Sequence, residues 1–217
     1  SDVCSSDLHR LLQGLVEAGY VRQDPSSGDY TTTIKAWELG SAVMAKIGLT
    51  QMAEPFMASL LNRFRETVHL SVLEGDEVVY IHKLDSPEPV RAYSQVGGRA
   101  PAYCVATGKS MLAFQSAAFL EAMSTRLQRH SPRTITKAAE FLSEMDAVRR
   151  QGYAVNRGEW RESVGGCAAG SGSMGKGMPS MAQIGFAHAP AALTKLPAAR
   201  LVPEARRTER TAVASEP

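Results

Sequence analysis

The stretch "ETVHLSVLEGDEVVYIHKL" constrains the fold more than any other part of this chain. Two runs of alternating apolar and polar residues flank Gly75-Asp76, a pair suited to a two-residue hairpin turn. A turn there pairs Val72 with Val79 and Leu70 with Ile81, which makes one apolar face. His69, Ser71, Tyr80 and His82 fall on the other face. A lone hairpin is marginal in water, so this one needs further strands and a layer of helices over its apolar side.

The downstream sequence supplies both. "VRAYSQV" reads as another strand. "GGRAPAYCVATGKSMLAF" reads as a Gly/Pro loop entering a helix near Val105. Helices are expected at about residues 117–127 and 139–151, and "GYAVNRGEW" reads as strand then loop. "GGCAAGSGSMGKGMPSMAQIGFA" can form a hairpin turning at Gly175-Lys176-Gly177. "LPAARLVPEARRTERTAVASE" ends the chain as a helix interrupted at Pro203. The order of elements predicts an α+β fold, with sheet and helices segregated, rather than a strict βαβ alternation.

Upstream lies a smaller piece. Leu8, Leu11, Leu12, Leu15 and Val16 follow a helical period, and Gly19 suits a C-terminal cap. "YVRQDPSSGDYTTT" follows as two short strands around a turn-forming "DPSSGD". "IKAWELGSAVMAKIG" is a helix that Gly48 breaks. "LTQMAEPFMASLLNRFRET" is another, with Thr50 as its N-cap and Phe56, Leu60, Leu61 and Phe64 as its buried stripe. The domain boundary is placed near Gly48.

Composition excludes several classes of function. No apolar run approaches the ~20 residues of a membrane span, and no signal-peptide layout is visible. The three cysteines, Cys4, Cys104 and Cys167, stand at no metal-like spacing, which points to a reducing, cytoplasmic setting. The net charge of +2 gives no general basic footprint, and acidic and basic residues balance over residues 9–46.

Four motifs invite chemistry. "TGKS" at Thr107–Ser110 has the tail of a phosphate loop, but Tyr103 stands where that loop needs glycine. The better reading is a helix start whose free N–H groups, with Thr107 and nearby Arg99, suit a carboxylate. His69 and His82, set opposite each other by the hairpin register, could begin a metal site, yet the spacing offers no third ligand, and no metal or cofactor is expected. Cys104 near a helix start could be an activated thiol. No His/Asn arrangement points to it, so a thiol hydrolase stays a secondary alternative to a non-enzyme. Finally, a helix followed at once by a hairpin is the back half of a winged helix-turn-helix, whose helix enters the major groove while the hairpin lies on the flanking backbone. His9, Arg10 and Arg22 are then the DNA-contacting candidates, mostly toward phosphate.

"HRLLQGLVEAGYVRQDPSSGDY" with "IKAWELG" resembles the IclR family of bacterial transcription factors. So do "ETVHLSVLEGDEVVYIHKLDSPEPVR", "GGRAPAYCVATGKSMLAF", "PRTIT" and "GYAVNRGEW", in the family's order and spacing. The resemblance covers about residues 8–212. It implies a partial winged helix (8–33), a linker helix (34–48) and a GAF-like antiparallel-sheet effector domain (49–217). It also implies a homodimer or tetramer that binds operator DNA in the intact parent, acts as a repressor or activator, and answers a small organic effector, which the helix start with Thr107 and Arg99 narrows to a small organic acid. On the same basis Gly98, Ala106 and Thr107 line the effector pocket, with Tyr103 and Cys104 as neighbours. Asn156, Trp160, Gly166 and Cys167 join from "NRGEWRESVGGCAA". Asn156 stands where relatives often carry an acid, which favours a different ligand polarity. Gly185 and Ala187 replace the hydroxyl residues of the family's Ser-rich turn. A stand-alone small-molecule-binding domain without DNA activity is the other reading.

The family carries two further helices before residue 8. "SDVCSSDL" is also the translation of TCA GAC GTG TGC TCT TCC GAT CT, which resembles a high-throughput sequencing adapter. The expectation is that residues 1–7 are non-native sequence joined to a truncated gene.

Overall fold

A computed structural model describes residues 5–88, 94–169 and 182–188 of the chain. Most of the strand expected over residues 90–96, the turn at Gly175–Gly177 and the C-terminal helix broken at Pro203 lie outside those residues. The chain divides into two compact units, Ser1–Leu49 and Thr50–Pro217.

The first unit begins with helix α1 (Ser5–Glu17). It ends on Gly19, whose φ of 76° is open to glycine at little cost. Gly19 N–H donates to Val16 O and Tyr20 N–H to Leu15 O, so two carbonyls of the last turn are satisfied. The chain then runs through strands β1 (Val21–Gln23) and β2 (Tyr30–Thr32), antiparallel, with Arg22 opposite Thr31. Asp24 closes the hairpin tip: its Oδ1 accepts from the Ser26 and Ser27 N–H groups and from the Ser26 hydroxyl. Those bonds hold its carboxyl below the usual carboxylate value. Helix α2 (Ile34–Ile47) follows. Its Lys35 reaches back to Ala18 O at 2.8 Å and lies over the Tyr20 ring. The apolar stripe of α1 is only partly covered: Leu12 and Val16 are half-buried, whereas Leu8, Leu11 and Leu15 are exposed, as are Ile34 and Trp37 of α2.

The second unit is helices and one antiparallel sheet. Its sequence of elements is α3 (Leu49–Phe64), β3 (Thr67–Glu74), β4 (Glu77–Leu84), β5 (Arg99–Pro101), α4 (Ala106–Leu112), α5 (Ala117–Ser124), α6 (Ala138–Gln151), β6 (Tyr153–Arg157), β7 (Gly165–Ala169) and β8 (Ala182–His188). The six strands stand in the order β5-β4-β3-β8-β7-β6. The α+β reading therefore holds.

Two local expectations need correction. Thr50 lies inside α3, not at its cap, and the helix buries Ala53 and Met57 while Phe56 is exposed. In the β3–β4 hairpin the turn at Gly75-Asp76 and the Val72–Val79 pair are as read. However, a register shift between Leu70 and Ser71 sets Leu70 opposite His82 and His69 opposite Lys83. One extra residue in β4 re-aims everything beyond it.

The core joins Leu73 and Val78 of the hairpin to Met111 and Leu112 of α4, Leu120 and Met123 of α5, and Phe141 and Met145 of α6. Ser116 caps α5 by accepting from the Phe119 N–H, and Gly152 ends α6 at a φ of 79°.

Candidate functional site

"TGKS" proves to be four residues with four separate tasks. Thr107 lines a cleft. Gly108 lies against the backbone: a Cβ there would sit 2.1 Å from Ala102 O, so no other residue fits without moving the chain. Lys109 is fully buried, and its Nζ donates to Glu144 Oε1 and to Glu159 Oε1, each at 2.9 Å. The Ser110 hydroxyl donates to Thr107 O, inside the same helix. The lysine is thus an internal ion-pair partner, not a phosphate ligand.

The cleft holds about 550 Å³ of space free of protein atoms, part of it open to solvent. Its walls come from β3 and β4 (His69, Tyr80), the start of α4 (Val105, Ala106, Thr107), β6 (Asn156) and the turn after it (Trp160, Arg161). The start of β7 (Gly165, Gly166, Cys167), with Val164 before it, and Ser94 complete the lining. Its polar groups are mostly neutral. Burial holds His69 uncharged down to about 4, and its Nε2 shares a hydrogen bond with the Ser94 hydroxyl. Burial likewise pushes the Tyr80 phenol up to about 12, so it stays a proton donor. The two rings lie 5.0 Å apart. Arg161 is exposed, stacks over the Trp160 ring at 4.8 Å, and makes no ion pair with a described residue.

Asn156 is largely occupied by its own turn. Its Oδ1 accepts from the Gly158 and Glu159 N–H groups at 2.9 Å, and its Nδ2 donates to Val164 O. The turn is also gripped from "SPRT": the Ser131 hydroxyl donates to Gly158 O and the Thr134 hydroxyl to Glu159 O. Gly158, at a φ of 86°, leaves room for Glu162 O, which a Cβ would approach to 2.6 Å.

Of the residues carried over by resemblance, Ala106, Thr107, Asn156, Trp160, Gly166 and Cys167 come together on this cleft. Among the other candidates, Gly98, Arg99, Tyr103 and Cys104 do not line it. Arg99 is paired with Glu77 at 2.9 Å at the sheet edge, and the cation of the cleft is Arg161 instead. The Gly98 carbonyl accepts from the Tyr80 N–H. The Tyr103 hydroxyl donates to Gln128 O and meets His130. Cys104 is packed in the core. Gly185 and Ala187 lie on β8, where Gly185 pairs with His69 and Ala187 with Gly166. Sequence reasoning missed Arg161, Ser94 and the cleft role of His69 and Tyr80. The last two were legible as polar residues on the second face of the hairpin.

Two alternatives lose their physical basis. Cys104 has no solvent exposure and burial pushes its thiol to about 12; Cys167 is pushed to about 11, so neither is an activated nucleophile. The two histidines part: His82 pairs with Glu54 at 2.5 Å while His69 turns to Ser94. Among the described residues no three potential ligands gather for a metal, and no helix is long and apolar enough to cross a membrane.

In the first unit, His9 and Arg10 are exposed on α1, Arg10 paired with Asp7 at 3.1 Å. Arg22 is exposed on β1 and donates to the Thr31 hydroxyl.

Residues 41–172 match the family model for the C-terminal domain of the bacterial transcriptional regulator IclR. The chain is 36% identical over 161 residues to the HTH-type transcriptional regulator KdgR of Escherichia coli K12, a match covering 73% of this chain and 61% of KdgR. The chain therefore spans less than two thirds of that relative's length. The fold resembles the crystal structure of Thermotoga maritima IclR, with a TM-score of 0.70, 25% identity and coverage of 92% of this chain and 82% of that one. It also resembles an IclR homolog from Microbacterium hydrocarbonoxydans complexed with 4-hydroxybenzoate, with a TM-score of 0.74, 24% identity and coverage of 93% and 82%.

Proposed function

The chain belongs to the IclR family of bacterial transcriptional regulators, and on that premise we propose that its second unit senses a small organic carboxylate and its first unit is the rear part of an operator-binding winged helix. The charge of the cleft carries the sensing half of this reading. Arg161 supplies a guanidinium without a described carboxylate partner, the Ser94, Thr107 and Tyr80 hydroxyls supply donors, and among the described residues no acidic side chain lines the space. A carboxylate leaving water needs this combination, since an unpaired buried charge is costly and a charge-assisted hydrogen bond is strong. Trp160 and the small residues Ala106 and Gly166 leave an apolar remainder for the body of the ligand.

The ligand acts only through a difference in its affinity for two arrangements of the protein. In the intact regulator, a homodimer or tetramer in the cytoplasm, those arrangements differ in how the winged helices meet the operator. Residues 8–33 then belong to the winged helix and residues 34–48 to the linker. His9, Arg10 and Arg22 contact phosphate, which fixes register without reading sequence.

Calorimetric titration with a panel of small carboxylates, 4-hydroxybenzoate among them, tests the sensing half. At least one acid binds, its amide analogue binds about tenfold or more weakly, and Arg161→Met removes the difference, a loss of roughly 1.4 kcal/mol or more. Equal binding of acid and amide would overturn the carboxylate assignment. A gel shift on the promoter of the chain's own gene tests the DNA half. A chain that binds ligand but not DNA is the stand-alone sensor.

A further inference from the structure

We infer that Lys109 is a positioning residue for the cleft, its buried ion pair with Glu159 fixing where Trp160 and Arg161 stand relative to the first turn of α4. The inference rests on reading the cleft as the ligand site. Val105, Ala106 and Thr107 reach the cleft from the same short helix that carries Lys109. Trp160 and Arg161 follow Glu159 directly along the chain. The Lys109–Glu159 bond at 2.9 Å therefore joins two walls of one space. Among the described residues it is the side-chain hydrogen bond that ties α4 to this turn; the other ties, from Asn156, Ser131 and Thr134, come from the turn itself or from the segment before α6.

Stability alone does not account for the arrangement. Two charges withdrawn from water regain little net free energy, and apolar residues of similar volume often serve as well or better. The helix that carries Lys109 is otherwise apolar along its buried end, with Met111 and Leu112 fully buried in the core. Glu159 is left half-satisfied: its Oε2 is buried and has no hydrogen-bond partner among the described residues. An ion pair retained at that cost supplies direction, which an apolar contact does not. Lys109 also bonds Glu144 of α6, so the turn is referred to two helices at once.

The experiment uses the full chain and no ligand. Trp37 and Trp160 are the two tryptophans, so Trp37→Phe leaves Trp160 as the single reporter. In that background Lys109→Met/Glu159→Leu replaces the pair by apolar residues. The expected result is a cooperative thermal transition close to that of the parent, with the Trp160 emission shifted to the red and its acrylamide quenching raised several-fold. Unchanged emission and quenching in a folded double variant would reduce the pair to core filling and overturn the inference. Should the double variant fail to fold, Glu159→Gln keeps the size and one bond while removing the charge. A several-fold rise in quenching there supports the inference, and no change overturns it. Because the readout needs no ligand, a parent chain that binds no carboxylate defeats the sensing proposal and leaves this result standing.

Discussion

In the second unit a lysine is shut away from solvent, while in the first unit leucines stand in it. Lys109 is 0% exposed, and Leu11 is 64% exposed. Neither value follows from the residue's own hydrophobicity. A helix buries its apolar stripe only against a second layer. In the second unit the six-stranded sheet provides that layer for α4, α5 and α6. The first unit offers α1 only two strands of three residues and α2 as companions. A charge can be buried where partners converge on it, and Glu144 and Glu159 do so from 35 and 50 residues away.

Substitutions in the two units test how deep the contrast runs. The largest effect is expected from Gly108→Val, whose Cβ would meet Ala102 O at 2.1 Å. It should cost about 4 kcal/mol or more and unfold the second unit in urea well before the first. Leu70→Ala, at a fully buried position of β3, should cost about 3 kcal/mol by the same measurement. Acid should act on the second unit through His69. Its folded value near 4 lies below the 6.5 of the unfolded chain, so the unfolded chain takes up a proton first as the pH falls. This group costs no stability above 6.5, and stability falls between 6.5 and 4 because the unfolded chain alone is protonated there, by about 3 kcal/mol in all. His69→Gln should flatten that slope in urea titrations run at a series of pH values. In the first unit Gly19→Ala, at a φ of 76°, should cost about 1 kcal/mol of α1 stability, read as helical ellipticity. The smallest effect is expected from Leu11→Ser, within about 0.5 kcal/mol. A large loss there would show that α1 has a cover, and would erase the contrast.

The sequence made some of this legible and hid the rest for identifiable reasons. The Gly75-Asp76 turn fixed the hairpin near its tip, because a two-residue loop admits one register. No Gly or Pro marks the shift at Leu70/Ser71, so the pairing of His69 was misread. In α3 the large side chains suggested the buried face, whereas the structure buries Ala53 and Met57. Size is a poor guide where a helix packs closely. The cleft residues nearest in sequence to recognisable motifs, Thr107 and Asn156, were within reach. Arg161 was not, since an arginine beside a tryptophan has no periodic signature, and Arg99 offered the same charge closer to the helix. Lys109 was hidden most completely, because lysine reads as surface until both of its glutamates are placed.

The place of β8 has a consequence for how the protein is made. This strand, residues 182–188, lies between β3 and β7 and joins the two halves of the sheet. A ribosome adding ~5–20 residues per second leaves on the order of ten seconds between the emergence of β5 and that of β8. Through that interval β3 presents an open edge to any neighbouring nascent chain. A stop codon between residues 170 and 181 would release two unjoined half-sheets, so the last made of the described strands decides whether the sheet translated before it becomes a folded product.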